Sequence, residues 1–248
     1  LWNGQKYNIE RLADKLCSKE RAGYIVEALH KYLANEYMCR ALCFCVNKRH
    51  ADFMAEQLSL YGFNAQSLPS DKRKQLAKEL REGAIHYLCV VDIFNEGVDI
   101  PEVDTVLFLR PTESLTIFLQ QLGRGLRLSV GKTELTVLDF VAQSNRKYDF
   151  ASRFRALMLN PEKNIVKQIK DGFTLLPSGC SIVMEKKARQ YILDNIQSAI
   201  YNKNRIIREI NSYPNIPTIS QFLENNGQDI RTLYQSNNCW TSLKRAAG

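Results

Sequence analysis

Four short and almost wholly apolar runs constrain this chain more than anything else in it. They are "RALCFCV" from Arg40, "HYLCVVD" from His86, "VDTVLFLR" from Val103 and "ELTVLDFV" from Glu134. A strand that is apolar at successive positions, and not only at alternate ones, must be covered on both faces. Between these runs lie stretches with helical spacing. Residues 8 to 35 carry Ile9, Leu12 and Leu16, then Ile25, Leu29 and Leu33. "KRHADFMAEQLSLYG" carries Ala51, Met54, Ala55 and Leu58, with Gly62 as a stop. A short strand near Ala65 leads to Ser70 and Asp71, good N-cap residues for a charged helix reaching Arg81. "SLTIFLQQLGRGLR" predicts a helix from Ser114, and residues 144 to 159 predict one more. Strands alternating with helices of this length form parallel β-α units. The expected fold is therefore α/β, a doubly wound parallel sheet with helices on both faces.

Past Asn160 the pattern changes. Pro161, Gly172 and "LPSG" at 176 to 179 mark a connector. A basic amphipathic helix is expected from about Glu185 to Ile210, with Ala188, Ile192, Ile196 and Ala199 on its apolar side. "NSYPNIPT" breaks it, and Thr218 with Gln221 forms a capping box that opens a last helical unit holding Leu233, Tyr234, Trp240 and Leu243. The expected division is a lobe at residues 1–160, a connector and basic helix at 161–211, and a small helical module at 212–248. Trp240 and Tyr234 read as core of that module or as base-stacking platforms. Lys186, Lys187, Arg189, Lys203, Arg205 and Arg208 read as a solvated face or as a surface tracking DNA.

The formal net charge of +8 suits a polyanion but does not identify one. No apolar run approaches the roughly 18 residues of a membrane span, and no signal peptide is visible, so a cytoplasmic protein is expected. The chain begins with Leu1, as a piece of a longer protein would. Its seven cysteines include no Cys-x-x-Cys pair, and with three histidines they do not make a zinc pattern, so no metal site is expected. Cys43 and Cys45 lie two apart, on one face of a strand. No nucleophile triad and no nuclease-like carboxylate cluster is suggested.

The stretch "GRGLRLSVGKT", Gly123 to Thr133, offers two readings. Its end could be the tail of a phosphate-binding loop, but that loop needs a glycine at position 126, which is Leu126. It also needs a strand before it and a helix after it, and here the order is reversed. Lys132 is then a solvated turn residue. The beginning fits better, because Arg124 and Arg127 lie three apart and share a helix face. Two guanidinium groups so placed can hold the charge on a transferring phosphoryl group, or can simply finish a basic helix end.

"FLQQLGRGLR" resembles motif VI of superfamily-2 helicases, Gln-x-x-Gly-Arg-x-x-Arg, with Gln120, Gly123, Arg124 and Arg127 in the matching places. "VVDIFNEGVDIPEVDTVLFLRPT" is similar to their motif V, carrying Asp92, Gly97 and Asp99. "CFCVNKRHADFMAEQL" resembles motif IV. The three stand in the family's order across residues 40 to 142. Their wording resembles most the restriction-enzyme-like branch of the DEAD/DEAH-box helicases and translocases, and the tail is similar to that of some bacterial members.

The resemblance implies the second of two RecA-like lobes that close on ATP. The first lobe, outside this chain, would bring the phosphate-binding loop and the acidic pair for Mg2+. Arg124 and Arg127 would be arginine fingers, with Gln120 coupling the lobes. Asp99 would approach the ribose, and Gly97 would let the backbone come close to the nucleotide. Asn47, Lys48 and Asp92 would face the nucleic-acid backbone, expected to be double-stranded DNA. Two departures stand out. Val90 and Val91 precede Asp92 where the family has Thr or Ser, and Gln121 stands where many members carry Arg. Two rival readings are a DNA- or protein-binding module that inherited the lobe without its activity, and a complete single-lobe nucleotide enzyme. The second is disfavoured by the missing phosphate-binding loop.

Overall fold

The structure is a computed structural model, and it describes residues 8–69, 71–91, 100–111, 129, 132–140, 150–160, 164–174, 176, 181–199, 203–226, 230–234 and 239–247. The chain divides into two compact units, Leu1–Gln143 and Ser144–Gly248.

The first unit holds the helices α1 (Ile9–Leu16), α2 (Lys19–Tyr32), α3 (Lys48–Leu60) and α4 (Arg73–Glu82). Its strands are β1 (Ala41–Phe44), β2 (Ala65–Ser67), β3 (Tyr87–Val90), β4 (Thr105–Phe108) and β5 (Thr136–Asp139). All strand pairs are parallel, in the order β2-β3-β1-β4-β5. β1, β3 and β4 are buried at every position, as their unbroken apolar runs require. One face carries Ala41, Cys43, Tyr87, Cys89 and Leu107 against Ile25 and Leu29 of α2 and Met54 and Leu58 of α3. The other face carries Leu42, Phe44, Leu88, Val106 and Phe108, all buried, with the Phe44 and Phe108 rings stacked at 5.6 Å. The connection through α3 runs outward from β1 to β2, and the one through α4 runs back to β3. Right-handed crossovers moving in opposite directions lie on opposite faces, so the two helices cover the sheet from both sides.

The amino edge of the sheet is tied by Asp104. Its Oδ1 accepts from the Arg40 N–H at 2.9 Å and the Thr105 hydroxyl at 2.9 Å, and its carbonyl accepts from the Thr136 N–H at 2.8 Å.

Local chemistry corrects several expected boundaries. The stretch of helical spacing over residues 8 to 35 forms two helices, because Ser18 turns extended and its hydroxyl accepts the Arg21 N–H, starting α2 afresh. α4 has Lys72, without a side-chain cap, at its N-cap position, in place of Ser70 or Asp71. It ends at Gly83, in the left-handed region at φ 79°.

The second unit contains α5 (Phe150–Arg155), α6 (Ile165–Asp171), α7 (Lys186–Ala199), α8 (Lys203–Asn211), α9 (Ile219–Asn226), α10 (Ile230–Tyr234) and α11 (Trp240–Ala247). α5 belongs to the helix expected over 144 to 159, and it packs on α6 and α7 within this unit. The long basic helix expected to reach Ile210 corresponds to α7 and α8, and residues 200 to 202 lie outside the described residues. Ile192 and Ile196 are buried on its apolar side as expected. The Thr218–Gln221 capping box forms in both directions, at 2.9 and 3.2 Å. Trp240 packs in the core of the tail against Phe222, with ring centroids 5.1 Å apart, whereas Tyr234 is exposed. No described helix is long and apolar enough to cross a membrane.

Candidate functional site

In an open parallel sheet, ligands collect outside the carboxyl ends of the strands, at the point where successive connections leave in opposite directions. Here that point falls between β1 and β4. From β1 the chain runs outward toward β2, and from β4 it runs the other way to β5. Asn47 and Lys48 follow the carboxyl end of β1. Asp92, Gly97 and Asp99 fall in the connection from β3 to β4, and Gln120, Arg124 and Arg127 in the connection from β4 to β5. Those last six residues lie outside the described residues.

Asn47 is the N-cap of α3. Its extended backbone turns the chain from strand to helix, and its Oδ1 accepts the His50 N–H at 3.0 Å. Its Nδ2 donates to Glu10 Oε1 of α1 at 3.1 Å. Both ends of the amide are therefore engaged within the protein. Lys48, the first residue of α3, is exposed. Of the two neighbours read as nucleic-acid contacts, the lysine is the freer to meet a partner.

α1 contributes what the sequence did not announce. Leu12 and Leu16 pack on Val46 just past β1, which brings two acidic side chains of α1 to the first turn of α3. Glu10 meets Asn47, and Asp14 pairs with the Arg49 guanidinium. The first turn of α3 has no acidic residue of its own, so these carboxylates supply the negative charge that a helix N-terminus favours. The spacing of Glu10 and Asp14, four apart on one helix face, was the available signal.

Under the same corner sits His50, fully buried. Its Nδ1 accepts the Val46 N–H at 3.2 Å, so Nε2 carries the proton, and that atom has no hydrogen-bond partner among the described residues. Burial first, and then the charge of Arg21, hold the imidazole down at about 4, so it is neutral at pH 7.

Lys132 departs from the solvated turn expected of it. It is half-buried, and its ammonium donates to the Pro101 carbonyl at 3.2 Å, bridging the residues before β5 to those before β4. Burial, its largest influence, lowers its pKa. A strand, β5, follows it, so this lysine does not stand ahead of a helix N-terminus as the lysine of a phosphate loop would.

Cys43, Cys45 and Cys89 share the buried face of β1 and β3. Burial raises the thiols of Cys43 and Cys45 well above their usual range, which suits packing and not reactivity. Among the described residues no group of three or more His, Cys, Asp or Glu side chains could hold a metal ion.

Residues 24–129 match the family described as the helicase conserved C-terminal domain. The match takes in 106 of the 248 residues, covering β1 to β4 and the stretches that resemble motifs IV, V and VI. A Saccharomyces cerevisiae protein named as an ATP-dependent helicase, IRC3, is 32% identical over 108 residues, 42% of this chain and 16% of its own length. The UvrABC system protein B of Burkholderia mallei is 30% identical over 164 residues, 58% of this chain and 23% of its own. The chain thus spans about a sixth to a quarter of these curated relatives. Among solved structures, the yeast DEAD-box splicing factor Prp28 aligns over 71% of this chain and 35% of its own, at 16% identity and a TM-score of 0.49. The Escherichia coli DEAD-box protein SrmB aligns over 51% of this chain and 73% of its own, at 22% identity and a TM-score of 0.42.

Proposed function

We propose that this chain is the second motor lobe of an ATP-dependent helicase or translocase that acts on double-stranded DNA, of the restriction-enzyme-like branch. One observation carries the reading. The residues of motifs IV, V and VI fall in the connections that leave the carboxyl ends of β1, β3 and β4, beside the switch point of a helicase C-terminal domain. A lobe built this way offers one edge to a nucleotide and to a strand at once. Arg124 and Arg127 act on the γ-phosphoryl group as charge develops, Gln120 couples the lobes, and Asp99 and Gly97 meet the nucleotide's sugar side. Lys48 and Asp92 face the nucleic-acid backbone, and Asn47 fixes the turn that presents Lys48.

The described residues do not by themselves fit ATP with Mg2+. The sequence has no phosphate-binding loop, and no described carboxylate cluster could hold the ion. Both are supplied by another lobe of a longer protein, most simply one that precedes residue 1. Lobe boundaries near residue 160 and a cytoplasmic location belong to the same proposal.

The test is the ATPase rate of the longer protein with duplex DNA and with duplex RNA of the same sequence. Stimulation by DNA supports the reading, stimulation by RNA alone transfers it to RNA, and no stimulation by either removes it.

A further inference from the structure

The two units are not alike in charge. Residues 1–143 hold eighteen Lys and Arg against eighteen Asp and Glu and are neutral. Residues 144–248 hold sixteen against eight, so the whole net charge of +8 belongs to the second unit. The helix starts differ only in part: α1 and α2 carry Glu10 and Glu20 in their first turns, α3 and α4 carry no acidic residue there, and neither does any described helix from α5 to α11. α7 goes further and opens with Lys186, Lys187 and Arg189. Cations at the positive end of a helix are unfavourable by a few tenths to about 1 kcal/mol each, so their presence there is not explained by helix stability.

The exposed cations stand on adjoining helices. Lys167 and Lys170 share the solvent side of α6, whose other side buries Ile165, Val166 and Ile169. α6 packs on α7, where Lys186 and Lys187 are exposed. One of the eight acids, Glu209, is turned inward on Arg155, one of the sixteen cations, so that pair cancels inside the unit and the excess of eight stands on the remaining residues. Of the two aromatics read as possible base-stacking platforms, Trp240 is packed against Phe222 while Tyr234 is exposed.

We infer that the second unit is the electrostatic anchor of this protein on nucleic acid, holding the phosphate backbone through α6 and the start of α7. The neutral first unit contributes geometry with little net attraction. This rests on the reading of the chain as part of a nucleic-acid motor. Lysine contacts to phosphate release counterions, so binding is salt-steep and nearly indifferent to sequence.

The experiment uses the full 248-residue chain, a fluorescent DNA duplex and anisotropy at several salt concentrations. One variant changes Lys167, Lys170, Lys186 and Lys187 to Gln. The other makes the same change at four exposed lobe lysines, Lys15, Lys19, Lys74 and Lys78. The first is expected to bind at least tenfold more weakly at about 0.1 M salt, with a salt slope shallower by roughly three to four, and the second to stay close to wild type. A third variant, Lys186→Glu with Lys187→Glu, separates folding from binding. It should melt no lower than wild type, because the helix end prefers the negative charge, and still bind less. Equal losses from both glutamine sets, or an unchanged first set, overturn the inference and leave the motor reading standing. A wild-type chain that ignores the duplex at about 50 mM salt also overturns it. The motor reading is then decided separately, by ATPase stimulation of the longer protein.

Discussion

Asn47 and Glu10 meet across two helices. The Asn47 amide donates to Glu10 Oε1 at 3.1 Å while its oxygen closes the first turn of α3 on His50 N. The residue that a motif reading assigns to nucleic acid is thus also the cap of α3 and its tie to α1. Asn47→Ala should lower stability by about 1 kcal/mol, the ordinary cost of a lost cap, before any effect on binding is considered. Asn47→Ser should restore most of that loss, because its hydroxyl can accept the same N–H. Chemical denaturation of the three proteins decides it, and an alanine variant as stable as wild type would remove the capping role.

His50 makes a pH prediction with a definite sign. Its folded pKa is about 4 and its ordinary value 6.5, so below pH 6.5 the unfolded chain takes up a proton that the folded chain refuses. Stability from this residue is complete above pH 6.5 and falls as the pH drops toward 4, by about 1.4 kcal/mol per unit at most. Unfolding free energies measured from pH 7 to 4.5 should show that slope, and His50→Leu should lose it. The variant should also be less stable at pH 7, since leucine cannot accept the Val46 N–H. A variant that keeps the full wild-type slope would assign the pH dependence to other groups.

The buried Arg155 ties α5 to α8 and α9. Its guanidinium pairs with Glu209 and donates to Asn226 Oδ1 at 2.8 Å, and the Asn226 amide passes the connection on to the Phe222 carbonyl at 2.9 Å. Glu209→Ala strands a buried charge and should cost about 3–5 kcal/mol. Replacing both partners, Arg155→Met with Glu209→Leu, should recover much of that. Thermal melts of the single and double variants test it, and a double variant no better than the single would show that the pair matters for more than its own charge.

The strands were legible because burial on both faces leaves an unmistakable mark. "ALCF", "YLCV" and "TVLF" carry hydroxyls only at Thr105, satisfied by Asp104, and at Tyr87, which donates to the Glu36 carbonyl. The candidate site is read from motif order, since residues that follow parallel strands emerge at one edge, and six of its eight residues lie outside the described ones. Long-range polar partners were not legible. Nothing local says that Glu10 will meet Asn47, that Lys132 will reach Pro101, or that Arg155 will find Glu209 fifty-four residues on. The break at Ser18 was hidden by apolar spacing that runs through it, because a hydroxyl can restart a helix without altering its hydrophobic stripe.

The isolated chain should hydrolyse ATP no faster than background and bind it weakly. Phosphoryl transfer needs the β- and γ-phosphates and their metal to be held, and this sequence has no loop for them. Phosphate release with and without magnesium and DNA checks this. Metal-dependent turnover above a mock preparation would restore the single-lobe enzyme as the better reading.

In the longer protein, Arg124→Ala and Arg127→Ala should each lower kcat by about 10³ or more and change KM modestly. The reason is that an arginine finger acts on charge that exists mainly in the transition state. Lysine at either position should rescue little, because a compact ammonium cannot reproduce the planar two-pronged contact with phosphate oxygens. A role in finishing a basic helix end predicts something else: near-normal kcat, good rescue by lysine and a lower melting temperature. DNA affinity measured without nucleotide should stay within about threefold of wild type for both alanine variants, since the anchor proposed for the phosphate backbone lies in the other unit. Steady-state ATPase, melting temperature and nucleotide-free DNA binding on the same preparations therefore separate the two roles. Wild-type turnover in either alanine variant would make that arginine structural.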